Sequence, residues 1–180
     1  MGQTRVGMAV ASAALTCALV VATCVQGPTS DAHAQAPTTR LTVGGGRARS
    51  GVHPLRAAFT PDPFSTATRP GGAIHVADLR LGAGCRGYVA AEPDAIVRFS
   101  GSAPLLRFFV RAATDVTLVI ADPSGRFLCN DDAIPGRTTN AMVDVFAPRP
   151  GQYDVWIGAH APSTQVDATL FVTGSRDQRP

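Results

Sequence analysis

The sequence predicts an all-β fold, a jelly-roll-like antiparallel β-sandwich of about eight or nine strands. Three observations predict it. Beyond the N-terminal stretch there is no long helical periodicity. Short apolar runs are instead separated by turn signals, with 18 glycines and 14 prolines in 180 residues, as in domains built from many short strands. Several of these runs alternate apolar and polar residues at the period of two expected of a half-buried strand. The length suits one domain with a sizeable core, and no internal repeat or second domain is found.

Residues 1–34 stand outside this fold. Arg5 is a short basic start, Val6 to Val25 is almost wholly apolar or small, and Ala32-His33-Ala34 is a small-x-small cleavage site, the three parts of a secretory signal peptide. The apolar run is also long enough to span a bilayer, so an uncleaved anchor is the alternative. Cys24 follows Val-Ala-Thr, a poor lipidation signal. The mature protein is therefore expected to be secreted or periplasmic, with no membrane association once the signal is cleaved.

Export changes the cysteine arithmetic. Cys17 and Cys24 leave with the signal, and Cys85 and Cys129 remain as an even pair in an oxidising compartment, where a disulfide is expected. It closes a loop of about 44 residues, worth roughly 4 kcal/mol in the chain-entropy model. The net charge is +3 and no basic residue is lysine. The arginines are scattered and carry no aromatic interleaving, which argues against a nucleic-acid partner.

Residues 35–52 read as a flexible arm, with little to bury. Gly44-Gly45-Gly46 lacks the lysine and the strand-to-helix context of a phosphate loop. Residues 53–174 carry the domain. Phe59 to Phe64 is a proline-stiffened entry. Phe64 to Thr68 and Ala73 to Leu79 are expected strands, separated by Pro70-Gly71-Gly72. Cys85 to Val89 is short and apolar, and Glu92-Pro93-Asp94 is a turn. In Ala95 to Phe99, Val97 and Phe99 point inward. In Pro104 to Arg111, Leu106, Phe108 and Val110 share one face, and Arg107, Phe109 and Arg111 the other. Ala141 to Phe146 sends Val143 and Val145 inward. Gln152 to Gly158 sends Tyr153, Val155 and Ile157 inward and leaves Trp156 outward. Val166 to Thr173 closes the domain with Ala168, Leu170 and Val172 on one face, and residues 175–180 form a polar tail.

Asp115 to Asp132, DVTLVIADPSGRFLCNDD, reads as one hairpin turning at Asp122-Pro123-Ser124-Gly125. If those four residues make the loop, Ala121 faces Arg126, Leu118 faces Cys129, and Asp115 faces Asp132. The thiol then lies on the apolar face, and two carboxylates meet at the open end, where like charges repel unless solvated, protonated or bridged by a cation. Asp115, Asn130, Asp131 and Asp132 offer the hard oxygen ligands that calcium prefers. The other reading is an Asx-rich turn accepting backbone N–H bonds. Asp122, at the far end of the hairpin, is expected to form the turn rather than bind a metal.

Five pieces, FTPDP (Phe59 to Pro63), GCRGY (Gly84 to Tyr88), EPD (Glu92 to Asp94), the hairpin, and GQYDVWIG (Gly151 to Gly158), occur in an order and spacing that resemble the bacterial pre-peptidase C-terminal domain in its small secreted form. The resemblance spans about two thirds of the chain, from Phe59 to Gly174. It implies a jelly-roll sandwich in an exported protein, an accessory module of secreted peptidases, and, for some related domains, bound calcium. The 180 residues contain no protease domain, so a role in processing an attached enzyme does not transfer.

Catalysis is not expected. His53, His75 and His160 lie far apart in sequence, Ser100-Gly101-Ser102 lacks the surroundings of a nucleophile elbow, and no H-E-x-x-H occurs. The expected function is that of a non-catalytic binding or accessory module, calcium-stabilised, for a protein or glycan partner such as a secreted peptidase. The alternative is a carbohydrate- or matrix-binding module using an exposed aromatic face around Trp156, near Phe109 or Phe171.

Overall fold

The alternating runs pair into two packed sheets in the computed structural model, which describes residues 1–3 and 40–180. The signal-peptide expectation falls largely on residues outside the described ones. The strands are β1 (Val52–Arg56), β2 (Phe64–Thr68), β3 (Ile74–His75), β4 (Tyr88–Val89), β5 (Ala95–Ser100), β6 (Leu105–Ala112), β7 (Val116–Ala121), β8 (Phe127–Asn130), β9 (Met142–Phe146), β10 (Gly151–Ala159) and β11 (Ala168–Thr173), with a 3₁₀ turn at Val76–Leu79. The fold is the all-β sandwich that the alternation predicts. The strand that the sequence reading does not anticipate is β1, which begins at the end of the expected arm; β3 and β4 fall in segments it names but have only two residues each.

One sheet has four strands, ordered β2-β11-β6-β9, all antiparallel. The other has seven, with β10 at its centre. β10 pairs with β5 through Gly151–Val155 and with β7 through Asp154–Ala159. β1 runs parallel to β5, the exception to the antiparallel expectation. A parallel pair needs a long crossover, and here the chain between β1 and β5 passes through β2 in the other sheet and then β3 and β4.

Between the sheets lies the main core, with Val97, Phe99, Leu106, Phe108, Val110, Leu118, Ile120, Tyr153, Val155, Ile157, Leu170 and Val172 all buried. These are the inward positions that the alternation of β5, β6, β7, β10 and β11 assigns. A second apolar cluster sits on the outer face of the seven-stranded sheet. It holds Leu41, Ile74, Val76, Cys85, Val89, Val119, Ala121 and Trp156.

Both outer faces are covered by terminal segments. Residues 40–51, expected as a flexible arm, pack as a strap. Leu41 is buried in the second cluster, Thr42 N–H donates to Ala91 O at 2.8 Å, and Gly44 N–H donates to the buried Asp154 carboxylate at 2.6 Å. The expectation fails because Leu41 supplies the apolar anchor and Asp154 supplies an acceptor from 110 residues away, neither visible in the local composition. The residues 175–180 likewise dock. Arg107 Nη1 donates to Arg176 O and Gln178 O at 2.7 and 2.9 Å, and Arg111 Nη2 donates to Arg179 O at 2.8 Å.

Candidate functional site

The β7–β8 hairpin positions most of the candidate residues, and its register differs from the expected one. Ala121 pairs with Phe127, Ile120 with Leu128, Val119 with Cys129 and Leu118 with Asn130. The cause is the turn. Asp122 N–H donates to Arg126 O at 2.9 Å, so three residues rather than four make the loop, and Gly125 sits at φ +79°. A left-handed glycine after a turn is the three-residue hairpin geometry. Asp122 Oδ1 accepts from Ser124 N–H at 2.8 Å and Arg126 N–H at 3.0 Å, and Oδ2 from Arg126 Nε at 3.2 Å. Burial raises the Asp122 carboxyl pKa, but these bonds outweigh it and hold the group below its usual range. It is a turn former, as read.

A one-residue slip moves every side chain of the second strand to the other face. Leu128 thus packs against the main core, whereas Cys129 turns outward to the second cluster. There it bonds to Cys85, with a Cα–Cα distance of 5.0 Å. The expected pairing is present, but the sulfurs lie outside the sandwich, not within it as the four-residue loop implied.

The same slip removes the direct Asp115–Asp132 pairing, since the ladder ends at Leu118 and Asn130. The acidic groups gather around Asp131 instead. Its carboxyl pKa is raised, first by partial burial and next by the charge of Asp115, with Asp132 adding and Arg86 opposing. Arg86 Nη1 lies 3.4 Å from Asp131 Oδ2, and His160 Nδ1 lies 3.7 Å from Asp115 Oδ2. Packing behind the rim brings Arg86 there. Thr117 Oγ1 donates to Arg86 O at 2.9 Å, and a Cβ at Gly87 would stand 2.7 Å from that hydroxyl. Asn130 Oδ1 faces away, accepting from Met142 N–H at 3.0 Å. Among the described residues no three His, Cys, Asp or Glu side chains converge to hold a metal ion.

Trp156 points outward from the sandwich, as its strand position requires, but it is 0% exposed. The 40–51 strap and the segment from β3 to β4 cover it, and its Nε1 donates to Ala91 O at 3.3 Å. The exposed aromatic platform is therefore corrected: the outer face is a second, buried core. Phe109 and Phe171 do stack, with centroids 4.8 Å apart and planes 6° apart. They do so on the other sheet, with the Arg111 guanidinium 5.4 and 5.0 Å from the two ring centres.

Sequence reasoning missed the buried charges. Asp94, read as part of a turn, is 0% exposed. Its Oδ2 accepts from Ile157 N–H at 2.8 Å and its Oδ1 from Arg49 Nη1 at 3.1 Å. Burial pushes its pKa up to about 6, against the pull of that backbone bond and of Arg49. Arg107 makes a two-pronged pair with Asp144, at 2.6 and 2.8 Å. The bond to Asp144 is the main cause of its raised pKa, with burial opposing. The signal that could have found Arg107 is an arginine flanked by apolar residues within an alternating strand. Asp94 carries no comparable signal.

A groove of about 940 Å³ opens where the ends of β2, β6 and the start of β11 meet the 40–51 strap; Arg49, Arg69, Arg111 and Asp167 are among its lining residues. No helix among the described residues is long and apolar enough to cross a membrane.

No protein-family model matches this chain, and no curated protein sequence does. Among solved structures, Aeromonas hydrophila PliG, a periplasmic lysozyme inhibitor of g-type lysozyme, is similar over 68% of this chain and 96% of that chain. Its TM-score is 0.32 and its sequence identity 11%, too distant to support an argument about fold or function.

Proposed function

We propose that this protein is an exported, non-catalytic binding or accessory module that acts on a protein partner, in keeping with its resemblance to the pre-peptidase C-terminal domain. The observation that carries the reading is how the buried ionisable groups are used. Asp94 holds Ile157 N–H and Arg49. Asp154 holds Gly44 N–H and Gln152 Nε2. Arg107 holds Asp144 and the C-terminal carbonyls. Each is spent on backbone or on a partner charge within the fold, whereas catalytic groups are characteristically held in a cleft with a face open to substrate. The Cys85–Cys129 bond supports export, because such bonds persist in oxidising compartments.

A stabilising role for calcium at Asp115, Asn130, Asp131 and Asp132 rests on the sequence expectation and has its own test. Melting in millimolar calcium tests the point: a rise reversed by chelator, and absent in Asp131→Asn, means that the rim rearranges around the ion. A glycan platform at Trp156 is not proposed, given its burial.

The test immobilises the mature chain and exposes it to periplasmic extract and culture medium of the producing cell. Turnover assays on ester, peptide and glycoside substrates run in parallel. Saturable capture of one exported protein without turnover is expected. Turnover above that of heat-denatured protein overturns the non-catalytic reading, and failure to capture from either fraction overturns the binding reading.

A further inference from the structure

The groove described above gathers three arginines from three separate elements. Arg49 comes from the N-terminal strap, Arg69 follows β2, and Arg111 lies near the end of β6. Two are fixed before any partner arrives. Arg49 donates to Gly71 O at 3.0 Å, Arg69 O at 2.8 Å and Asp94 Oδ1 at 3.1 Å. Arg111 lies over the Phe109 and Phe171 rings and is tied to Arg179 O.

Asp167 lines the same groove, 3.1 Å from Arg69 Nε, but the two side chains are 70% and 87% exposed. A pair so open to water holds little energy and exchanges readily. Arg49 is balanced by Asp94, so Arg69 and Arg111 are the charges the groove offers, against the one lightly held carboxylate of Asp167. The planar guanidinium fork matches a carboxylate through two parallel bonds, and Arg69 and Arg111 present such forks at the groove. The lining is not purely ionic: Ala67, Ala112 and Ala168 share the walls. β2 is an edge strand, the kind of border along which an extended segment lies.

We propose that this groove binds the acidic side chains of an extended segment of the protein partner, an inference that rests on the binding-module reading. The alanine walls suit the methylene stem of glutamate, and the exchangeable Asp167 occupies in cis the place that a partner carboxylate takes.

The experiment uses the mature chain and a fluorescent peptide alternating glutamate with alanine, against a lysine-alanine peptide, read by anisotropy at low salt. The acidic peptide is expected to bind and the basic one not. Arg69→Glu should weaken binding about tenfold, and Asp167→Asn should strengthen it roughly two- to threefold, as rim charges do. Both positions are exposed, and an unchanged melting temperature confirms that each variant folds. Equal affinity in wild type and Arg69→Glu, or displacement of the peptide by a few millimolar inorganic phosphate, overturns the assignment. If Arg69→Glu still captures the exported partner, the groove assignment fails while the binding-module reading stands. If wild type captures nothing, that reading itself fails.

Discussion

Asp94 is the residue with the clearest solution consequence. It sits where β5 begins, fully buried, with its pKa pushed up to about 6 from an ordinary 3.8. A folded-state value above the unfolded one means that the native protein holds the proton more tightly. Its contribution to stability is then greatest below about pH 4 and is lost as pH rises through about 6. Asp131 shifts in the same direction, whereas the depressed Asp122 removes stability only as pH falls below the ordinary carboxylate range. Acidification from pH 7 to 5 should therefore raise the melting temperature. Asp94→Asn, which keeps an acceptor for Ile157 N–H, should flatten most of that rise. An equal slope in the variant would show that another group sets it. A turn-like EPD in the sequence reveals none of this, because the shift arises from burial among distant strands.

Among the elements, the β7–β8 hairpin is the most instructive. Its existence, both strands and the role of Asp122 follow from alternation and turn chemistry. Its register does not, because DPSG admits a four-residue loop or a three-residue loop ending in a left-handed glycine. Asp122 decides between them by accepting from the backbone N–H groups of Ser124 and Arg126 and from Arg126 Nε. Gly125→Ala meets no clash, since nothing lies within 4 Å of its Cβ position. The left-handed φ alone penalises it. The expected loss is about 1–2 kcal/mol in chemical denaturation, and no loss would show that the loop relaxes to the other form. The candidate rim followed the register. Asp115, Asp131 and Asp132 were legible as an acidic cluster, but the salt bridges to Arg86 and His160 depend on which strands lie beside them.

At the scale of the molecule, a sandwich is enclosed by its own ends. The single tryptophan lies beneath the N-terminal strap and the segment from β3 to β4, so it reports on the cover that these two make together. Leu41→Ala should lower stability by about 2–3 kcal/mol and shift Trp156 emission to the red. An unshifted spectrum would mean that the strap does not depend on Leu41. The Cys85–Cys129 bond pins the segment before β4 to the same face, across 44 residues. Replacing both cysteines by alanine should reduce the unfolding free energy by roughly 4 kcal/mol in the chain-entropy model. A loss confined to a few tenths would show that packing of the second cluster already holds this loop.

What the amino-acid sequence determined by itself is whatever depends on neighbours along the chain: most of the strands, the inward faces of β5, β6, β7, β10 and β11, the turn at Asp122, and the Cys85–Cys129 pair. What only the tertiary structure decided is whatever depends on which segment arrives to cover a face. Trp156 points outward by strand geometry alone, yet the strap buries it. Arg107 stands on a polar-looking face, yet Asp144 and the C-terminal carbonyls enclose it. Alternation assigns a side chain to one side of a sheet, but it carries no information about what lies on that side. Burial and charge state are set by long-range packing.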